Sequence, residues 1–251
     1  MIIQFKQISI LPFKYIWFCR KPKFTFSTIY LRSLHEEFNF LLIKKQEFYT
    51  KEIDLTKSMK EIKAAFSKTT KNEINRAAKR DNIVITVEAD YEKAIKFYNE
   101  FARSKNLPTI TLKHVMFKNP ENLLIIKAVQ QDSKEVLVMH FFILDKMEKR
   151  ATSLHLATKI EKDWTKERKR LIGRSNRYQH YKNIEYFKER NFITYDFGGY
   201  ILNPKQPSMK GINEFKDSFG GKVVKQYNYY PIWMYWLKRL KESGTNNSAV
   251  Y

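Results

Sequence analysis

The sequence predicts an α/β chain, with a mixed sheet and helices on both of its faces. Short runs in which apolar residues alternate, such as Ile83 to Glu88, are typical of strands. Other segments repeat apolar residues every three or four positions, which is typical of helices, and helix-start signals precede several of them. Hydrophobic residues make up 43% of the 251 residues. The chain can therefore bury a substantial core and is not a disordered basic tail.

The first half of the chain combines strands with capped helices. Short strand-like runs lie between residues 24 and 55, as in residues 38–43. A Ser or Thr followed three residues later by Glu predicts a helix start, because each side chain can bond a backbone N–H of the other. The patterns predict, in order, a helix from Ser58-x-x-Glu61, a helix from Thr70-x-x-Glu73, a strand from Ile83 to Glu88, a helix capped by Asp90, and a shorter helix with Leu112, Val115 and Met116.

The second half alternates strands and helices. Polar turns between alternating runs predict three consecutive strands, at 122–130, 135–144 and 150–158. After them we expect a basic loop, a helix from about Ser175 to Arg190, a strand at 192–197, a helix near 208–218, a strand at 222–229 and a closing aromatic helix from Pro231. For the domains we predict a strand-rich extension at 1–55 packed on the core, a main domain at 56–242 and a disordered tail at 243–251.

The chain is strongly basic. It has 47 Lys and Arg against 26 Asp and Glu, a formal net charge of +21. Such a charge is typical of nucleic-acid-binding proteins. It also fits a general lysine-rich bias, since acidic residues are interleaved with the lysines, or a basic cleft for phosphorylated small molecules. Charge alone leaves these three interpretations open.

The composition excludes several classes of protein. A single cysteine, Cys19, excludes an internal disulfide framework and a cysteine-based zinc knuckle. No run approaches the ~20 apolar residues of a membrane-spanning helix, and the N-terminus lacks the features of a secretory signal. The sequence contains no Gly-x-Gly-x-x-Gly, P-loop, His-Glu-x-x-His or Gly-x-Ser-x-Gly motif. We therefore expect a cytoplasmic protein with no membrane span and no metal.

Six of the seven glycines lie between residues 173 and 221, and this clustering predicts a site there, because glycine lets backbone turn sharply or approach a ligand.

The order of elements resembles the GNAT acyltransferase fold, whose central sheet is splayed to admit an acyl thioester. The segment Arg170-Leu-Ile-Gly-Arg-Ser-Asn176 resembles the pattern with which GNAT proteins hold the pyrophosphate of coenzyme A, although Ser replaces the usual small residue. An anion is favoured there by the N–H groups and dipole of a helix N-terminus. The resemblance implies that acyl-CoA is bound by Arg170, Gly173, Arg174, Ser175 and Asn176; an ordinary Ser-capped helix is the alternative.

Two further motifs are more specific. They are Tyr195-Asp-Phe-Gly-Gly-Tyr200 and Gly211-Ile-Asn-Glu-Phe-Lys-Asp-Ser-Phe-Gly-Gly221. They resemble motifs of the Fem-type aminoacyltransferases of peptidoglycan cross-bridges and of their single-domain relatives, and the similarity covers roughly residues 50–230. Fem-type enzymes usually have two tandem domains, which 251 residues cannot hold, and they use an aminoacyl-tRNA donor. The single-domain relatives in surface-polysaccharide pathways, such as lipopolysaccharide or capsule synthesis, are more similar to this chain.

The resemblance implies an activity and a set of site residues. The expected activity is N-acylation, by acyl-CoA, of the amine of a nucleotide-linked amino-deoxy sugar. Lys216 matches the family lysine near the acyl-transfer centre, where it could polarise the acyl carbonyl; a solvated helix lysine is the alternative. Asp196 could orient the amine or accept its proton, or could simply cap the glycine turn.

GNAT enzymes typically supply a backbone N–H to the oxyanion from a bulge in the central strand, which we expect near Ser153 to Leu156. His155 lies in that strand, and its side chain is expected to face opposite to those of Leu154 and Leu156. We predict His155 as the general base, because a histidine that titrates near neutrality suits that role. We interpret His140 as a satisfied core residue, and His35, His114 and His180 as surface or helix-face residues.

The acceptor's nucleotide gives two further candidates. Arg76 lies in a region that the family uses around that nucleotide, with Lys71 and Arg80 nearby, although a solvated helix face explains these residues equally well. Tyr200 could stack on a base or a sugar ring. A possible homodimer is suggested by the aromatic closing helix.

Three hypotheses stay open. The leading one is the acyl-CoA-dependent sugar N-acyltransferase. The second is an aminoacyl-tRNA-dependent transferase acting on a peptidoglycan precursor, which the positive charge would suit. The third is a non-catalytic basic domain that binds nucleic acid or anionic lipid; no DNA-recognition or RNA-binding motif supports it, and we expect no DNA partner.

Overall fold

The computed structural model describes residues 2–8, 11–20, 28–34, 42–111, 122–161 and 164–236. They divide into two compact units: the larger lies within 51–198 and 204–222, and the smaller within 1–50, 199–203 and 223–251. The predicted short helix with Leu112, Val115 and Met116 and the predicted tail at 243–251 lie outside the described residues, as do most residues of the run at 38–43. The predictions for His35 and His114 also fall outside them.

The helices and strands follow the predicted order. They are β1 Ile2–Ile8, β2 Leu11–Trp17, β3 Thr28–Ser33, β4 Ile43–Asp54, α1 Met59–Ala64, α2 Lys68–Lys79, β5 Ile83–Val87, α3 Tyr91–Ser104, β6 Leu123–Gln130, β7 Glu135–Asp145, β8 Arg150–Thr158, α4 Lys166–Glu189, β9 Thr194–Gly199, α5 Pro207–Asp217 and β10 Lys222–Pro231. The three consecutive strands in the middle of the chain, β6 to β8, are confirmed within one or two residues.

The larger unit is built on a mixed sheet. Its strand order is β9-β8-β7-β6-β5, with residues 51–54 of β4 beside β9. Strands β5 to β8 pair antiparallel, whereas β8 and β9 pair in parallel, with α4 as the connection between them. Such a crossover is the usual way to join neighbouring parallel strands.

Helices cover both faces of this sheet, as predicted. Neighbouring residues of a strand point to opposite faces. On β7, Phe141 packs in a cluster with Ala94 and Tyr98 of α3, whereas Phe142 packs in another with Ile184 and Phe187 of α4. The α4 face also receives apolar residues from α1 and α2, including Ile62 and Ile74. The core of the larger unit therefore has two layers, one on each side of β7.

The smaller unit is largely sheet. Its strand order is β1-β2-β3-β10-β4, with β1 and β2 antiparallel, β2 and β3 parallel, and β3 and β10 antiparallel. Aromatic and apolar residues form its core, among them Ile16, Tyr30 and Tyr229. Residues 232–236, after β10, form a helical turn, where a closing helix was expected.

Capping side chains define the helix starts, and two of them differ from the prediction. The Ser58 capping box is complete, and Asp90 caps α3 through the Lys93 N–H, as predicted. The second predicted box is wrong: Ser67 is the cap of α2, and Thr70 lies inside the first turn, where its N–H donates to the Ser67 hydroxyl. The predicted start of α4 at Ser175 is also wrong, since the helix begins at Lys166 behind the cap Thr165.

Candidate active site

Strands β8 and β9 separate after a short parallel contact. Pairing joins residues 150–152 of β8 to residues 194–196 of β9. Beyond this point β8 continues along β7 to Thr158, and no further pair in the described part of the chain joins it to β9. The central sheet is therefore splayed, as predicted, with an opening between residues 153–158 of β8 and the end of β9.

A bulge lies where this opening begins. In the ladder between β7 and β8, Phe142 pairs with Ser153 but Phe141 pairs with His155, so Leu154 is an extra residue. The predicted bulge near Ser153 to Leu156 is thus present. The extra residue of a bulge is left out of the ladder and locally re-aims the chain. This backbone is in the right place to offer an N–H group to a ligand in the opening.

The bulge also changes the direction of His155. Its ring packs on Tyr98 at 4.8 Å and on Phe141 at 6.0 Å between centroids, on the α3 face. Leu154 packs against the same cluster. The prediction that the His155 side chain points opposite to that of Leu154 is therefore wrong, because the inserted residue breaks the alternation of the strand. His155 is half-buried and lies next to the bulge, away from the α4 face.

At the end of β9, a glycine turn brings two predicted site residues together. Gly198 has a φ of 78°, in the left-handed region that glycine tolerates. Its N–H donates to Oδ1 of Asp196 at 2.7 Å, and its carbonyl accepts from Nζ of Lys216 at 3.4 Å. Lys216 is half-buried on α5, so the charge of its ammonium group is held beside the turn.

Asp196 itself is fully buried and heavily bonded. Its Oδ2 accepts from the Thr152 hydroxyl and from Nη1 of Arg150, both at 3.3 Å. The same Nη1 donates to Glu52 at 2.6 Å. Burial acts to lower the pKa of Arg150, but the carboxylates of Asp196 and Glu52 outweigh it and hold that pKa above its usual value. Asp196 therefore caps the glycine turn, the alternative noted from the sequence, and its role toward the amine stays a prediction.

The segment 170–176 does not form the predicted phosphate-binding loop. It lies in the second and third turns of α4, where backbone N–H groups bond within the helix. Arg174 is buried and paired with Asp81 at 2.6 Å and with Glu167 at 3.0 Å. Ser175 is buried and donates to the Leu171 carbonyl, whereas Gly173 and Arg170 lie on the helix surface or its flank. With its N–H groups and Arg174 occupied, this segment cannot cradle a pyrophosphate as predicted.

A chain of buried polar groups links α4 to the sheet, and sequence reasoning missed most of it. His140 is bonded at both ring nitrogens, to Asn183 and to Asn176, each at 2.9 Å. Since the Asn183 amide donates to Nδ1, the proton of His140 lies on Nε2. His140 is fully buried, and the two bonds confirm it as a satisfied core residue. Burial lowers the pKa of His140 to about 3.

His180 extends this chain. Its Nδ1 lies 2.7 Å from the Tyr195 hydroxyl, and its ring packs on Phe197, Phe215 and Phe219. Burial lowers the pKa of His180 well below its usual value. The prediction of a surface or helix-face histidine is therefore wrong. A signal was present in the sequence: Asn176, Gln179, His180 and Asn183 share the helical spacing of Ile172, Ile184 and Phe187.

The two predicted nucleotide-binding residues lie on different elements from Lys216. Arg76 lies on the exposed side of α2, with Nη2 at 3.5 Å from Glu167. Tyr200 belongs to the smaller unit, where its N–H donates to the Tyr49 carbonyl at 2.7 Å. Their proposed contacts with the acceptor's nucleotide stay predictions.

Other features of the larger unit lie apart from these residues. A cavity of about 170 Å³ lies between β5 and α4, and none of the predicted site residues lines it. Among the residues that the structure describes, no group of three or more His, Cys, Asp or Glu is arranged to hold a metal ion. Within the same residues, no helix has the length and apolar character required to span a membrane.

The comparisons with known proteins identify the fold. No family model matches the sequence, and no curated protein matches it. Solved structures do match. FemX is 13% identical with a TM-score of 0.63, over 95% of this chain and 86% of FemX. The C-terminal domain of a putative lysylphosphatidylglycerol synthetase from Agrobacterium fabrum is 12% identical with a TM-score of 0.55, over 86% of this chain and 72% of that domain.

L-PGS from Bacillus licheniformis is 11% identical with a TM-score of 0.54, over 86% of this chain and 73% of that chain. At identities this low, such likeness describes the fold alone. The chain is similar to these proteins in fold, with a mixed sheet flanked by helices.

Proposed function

We propose that this chain is an acyltransferase that joins an acyl group to an amine in the opening between β8 and β9. The observation that carries the proposal is the bulge at Leu154, placed where the sheet splays. Where the pairing of β8 with β9 ends, the edge of β8 has backbone N–H groups to offer a ligand, and the opening gives an extended acyl donor a place to lie. Lys216, beside the glycine turn, supplies a positive charge to the same unit.

In the proposed reaction the amine nitrogen attacks the carbonyl carbon of the donor. A C–N bond forms, and the carbonyl electron pair moves onto oxygen, where a backbone N–H of the bulge and the Lys216 ammonium stabilise the charge. When the carbonyl re-forms, the bond to the leaving group breaks, and the thiolate or alkoxide departs with the electron pair. His155, next to the bulge, takes the proton that the amine must lose and passes it to the leaving group.

For the donor we propose an acyl-CoA thioester, and for the acceptor a nucleotide-linked amino-deoxy sugar. Because residues 170–176 lie inside α4, the donor's pyrophosphate would instead meet the true first turn of α4, behind Thr165. Lys166 and Lys169 are exposed in that turn, and the exposed Arg170 follows them; these three cations suit an anion. The acceptor rests on the resemblance of the Tyr195–Tyr200 and Gly211–Gly221 motifs to single-domain relatives of the Fem-type enzymes.

The alternative donor is an aminoacyl ester of tRNA. Its support is the structural similarity to FemX and to lysylphosphatidylglycerol synthetase, whose name describes the joining of lysine to a lipid. The two donors differ in the leaving group, a thiolate or a ribose hydroxyl, and not in the attack on the carbonyl. The same bulge and lysine would serve both.

Calorimetric titration with coenzyme A, and then with UDP- and dTDP-linked amino sugars, distinguishes these donors. Saturable binding of both ligands supports the CoA-dependent reaction, whereas transfer from aminoacyl-tRNA without CoA binding replaces it with the alternative. The site assignment is tested by Lys216→Ala, which we expect to lower kcat about a hundredfold.

Two further variants sharpen this test. Lys210→Ala removes an exposed lysine from the same helix, where it has only a 3.9 Å contact with Glu214, and should leave the rate unchanged. His155→Phe keeps a ring that can pack on Tyr98 but removes the proton acceptor, so the rate should fall. Unchanged rates in both Lys216→Ala and His155→Phe would remove the site assignment.

A further inference from the structure

Large apolar side chains are exposed together at one place in the smaller unit. Leu42 is 66% exposed, Ile232 38% and Trp236 55%. The Ile232 N–H donates to the Leu42 carbonyl at 2.9 Å, so these two residues are neighbours. Residues 232–236 form a helical turn, and side chains four positions apart share a face of a helix. We refer to Leu42, Ile232 and Trp236 as the Trp236 patch.

Positive charge lies beside this patch and follows it in the sequence. Lys44 lies two residues from Leu42, with Nζ 5.5 Å from the centre of the Tyr235 ring. After Trp236 the sequence continues Leu-Lys-Arg-Leu-Lys, which adds three cations within five residues. Over its whole sequence the smaller unit has 12 Lys and Arg against 4 Asp and Glu, a net charge of +8.

We propose that the Trp236 patch docks the protein on an anionic lipid surface. Tryptophan prefers the boundary between headgroups and acyl chains, and exposed Leu and Ile side chains gain by entering the apolar layer below it. Lysine and arginine beside such residues are attracted to anionic headgroups. The combination of an apolar patch and a basic border is the chemistry that this surface requires.

A second copy of the chain fits the patch less well. In a symmetric dimer the same patch meets itself, so Lys44 and the like charges of the two basic smaller units would be brought together and repel. A nucleic acid would complement the positive charge but would gain nothing from exposed Leu and Ile side chains. An anionic membrane is the partner that complements both features at once.

The test is cosedimentation of the full chain with lipid vesicles. One set contains phosphatidylcholine with about 30% phosphatidylglycerol, and the other contains phosphatidylcholine alone. We expect the protein to bind the first set, to bind the second at least tenfold more weakly, and to be released as salt is raised from about 0.1 to 0.5 M. Equal binding to both sets, or no binding to the anionic set, would overturn the proposal.

Variants assign the binding to the patch. Trp236→Glu, and independently Ile232→Ser in case the first variant does not fold, should weaken binding to the anionic vesicles at least tenfold. The matched control is Met147→Glu, since Met147 is 82% exposed but lies in the larger unit, and its binding should match that of the unmodified protein. If the patch variants bind as tightly as the control, the patch is not the docking surface.

Sedimentation equilibrium separates the lipid surface from a second copy. The proposal expects the oligomeric state in the absence of vesicles to be the same in the unmodified protein and in Trp236→Glu. A dimer that dissociates in Trp236→Glu would assign the patch to a second copy of the chain and overturn the proposal.

Discussion

The second glycine of the Phe-Gly-Gly motif, Gly221, has a conformation that no other residue can adopt without cost, and Gly221→Ala tests this. Its φ is 77°. An added Cβ would press against the carbonyl oxygen of Glu52, with the Glu52 carbonyl carbon at 3.1 Å and Ile53 Cγ1 at 3.2 Å. The obstacle is the backbone of β4, which cannot rotate away as a flexible side chain would.

Two contributions set the expected magnitude. A left-handed backbone costs a residue with a Cβ about 1–2 kcal/mol. Forcing an extra carbon into a packed site costs about 1–3 kcal/mol more. We therefore expect Gly221→Ala to lower the free energy of unfolding by about 2–5 kcal/mol, measured by urea denaturation followed by circular dichroism.

Gly211→Ala is the matched control. Gly211 lies inside α5, and an added Cβ there would meet no atom within 4 Å. Alanine is favoured over glycine in a helix by about 1 kcal/mol, so this variant should be slightly more stable than the unmodified protein. A loss below about 1 kcal/mol in Gly221→Ala, or similar effects in the two variants, would refute the reasoning from backbone geometry.

Three further predictions concern stability, each measured by urea denaturation. Arg150→Met leaves the carboxylates of Glu52 and Asp196 buried without their cation, so the free energy of unfolding should fall by about 3–5 kcal/mol. Burial lowers the pKa of His140 to about 3 in the folded protein, whereas in the unfolded chain it is about 6.5. The stability that neutral His140 contributes is therefore complete above pH 6.5 and is lost as the pH falls from there toward 3. Between pH 7 and pH 5 the unmodified protein should therefore lose about 2 kcal/mol more stability than His140→Gln, and equal losses would contradict the assignment. Ser58→Ala removes the acceptor of the Glu61 N–H and should lower the free energy of unfolding by about 1 kcal/mol. No measurable loss would show that the Ser58 capping box does not contribute to stability.

The elements that the sequence predicts well are those defined by neighbouring residues. The Ser58 box, the Asp90 cap and the alternating runs of β6 to β8 depend on side chains within a few positions of each other. Each such signal satisfies a backbone group or buries one face of a strand locally. The splay and bulge came instead from the resemblance to the GNAT fold, since no local pattern specifies where a ladder gains a residue.

The error at the start of α4 has a physical cause. The first two turns of the helix are highly charged, and the face that it buries further on contains Asn176, Gln179, His180 and Asn183 among its apolar residues. A buried face that is partly polar has a weak hydrophobic period, so the pattern appears to begin late. Gln179, His180 and Asn183 are buried because the sheet offers them partners that lie far away in the sequence. These partners are the Ile126 carbonyl of β6, the Tyr195 hydroxyl of β9 and His140 of β7.

The same dependence on distant partners distinguishes Asp196, in the Asp-Phe-Gly-Gly motif, from Lys216, in the segment Gly211–Gly221. Asp196 has Gly198 as a local partner, but Thr152 and Arg150 reach it across the parallel pairing of β8 and β9. A buried carboxylate that accepts from all three is fixed in place and holds the turn. Lys216, on a separate helix, contacts the carbonyl of that turn and is only half-buried. The Asp-Phe-Gly-Gly motif therefore contributes geometry through its aspartate and glycines, and we propose that Lys216, beside that turn, is the residue that meets a substrate's charge.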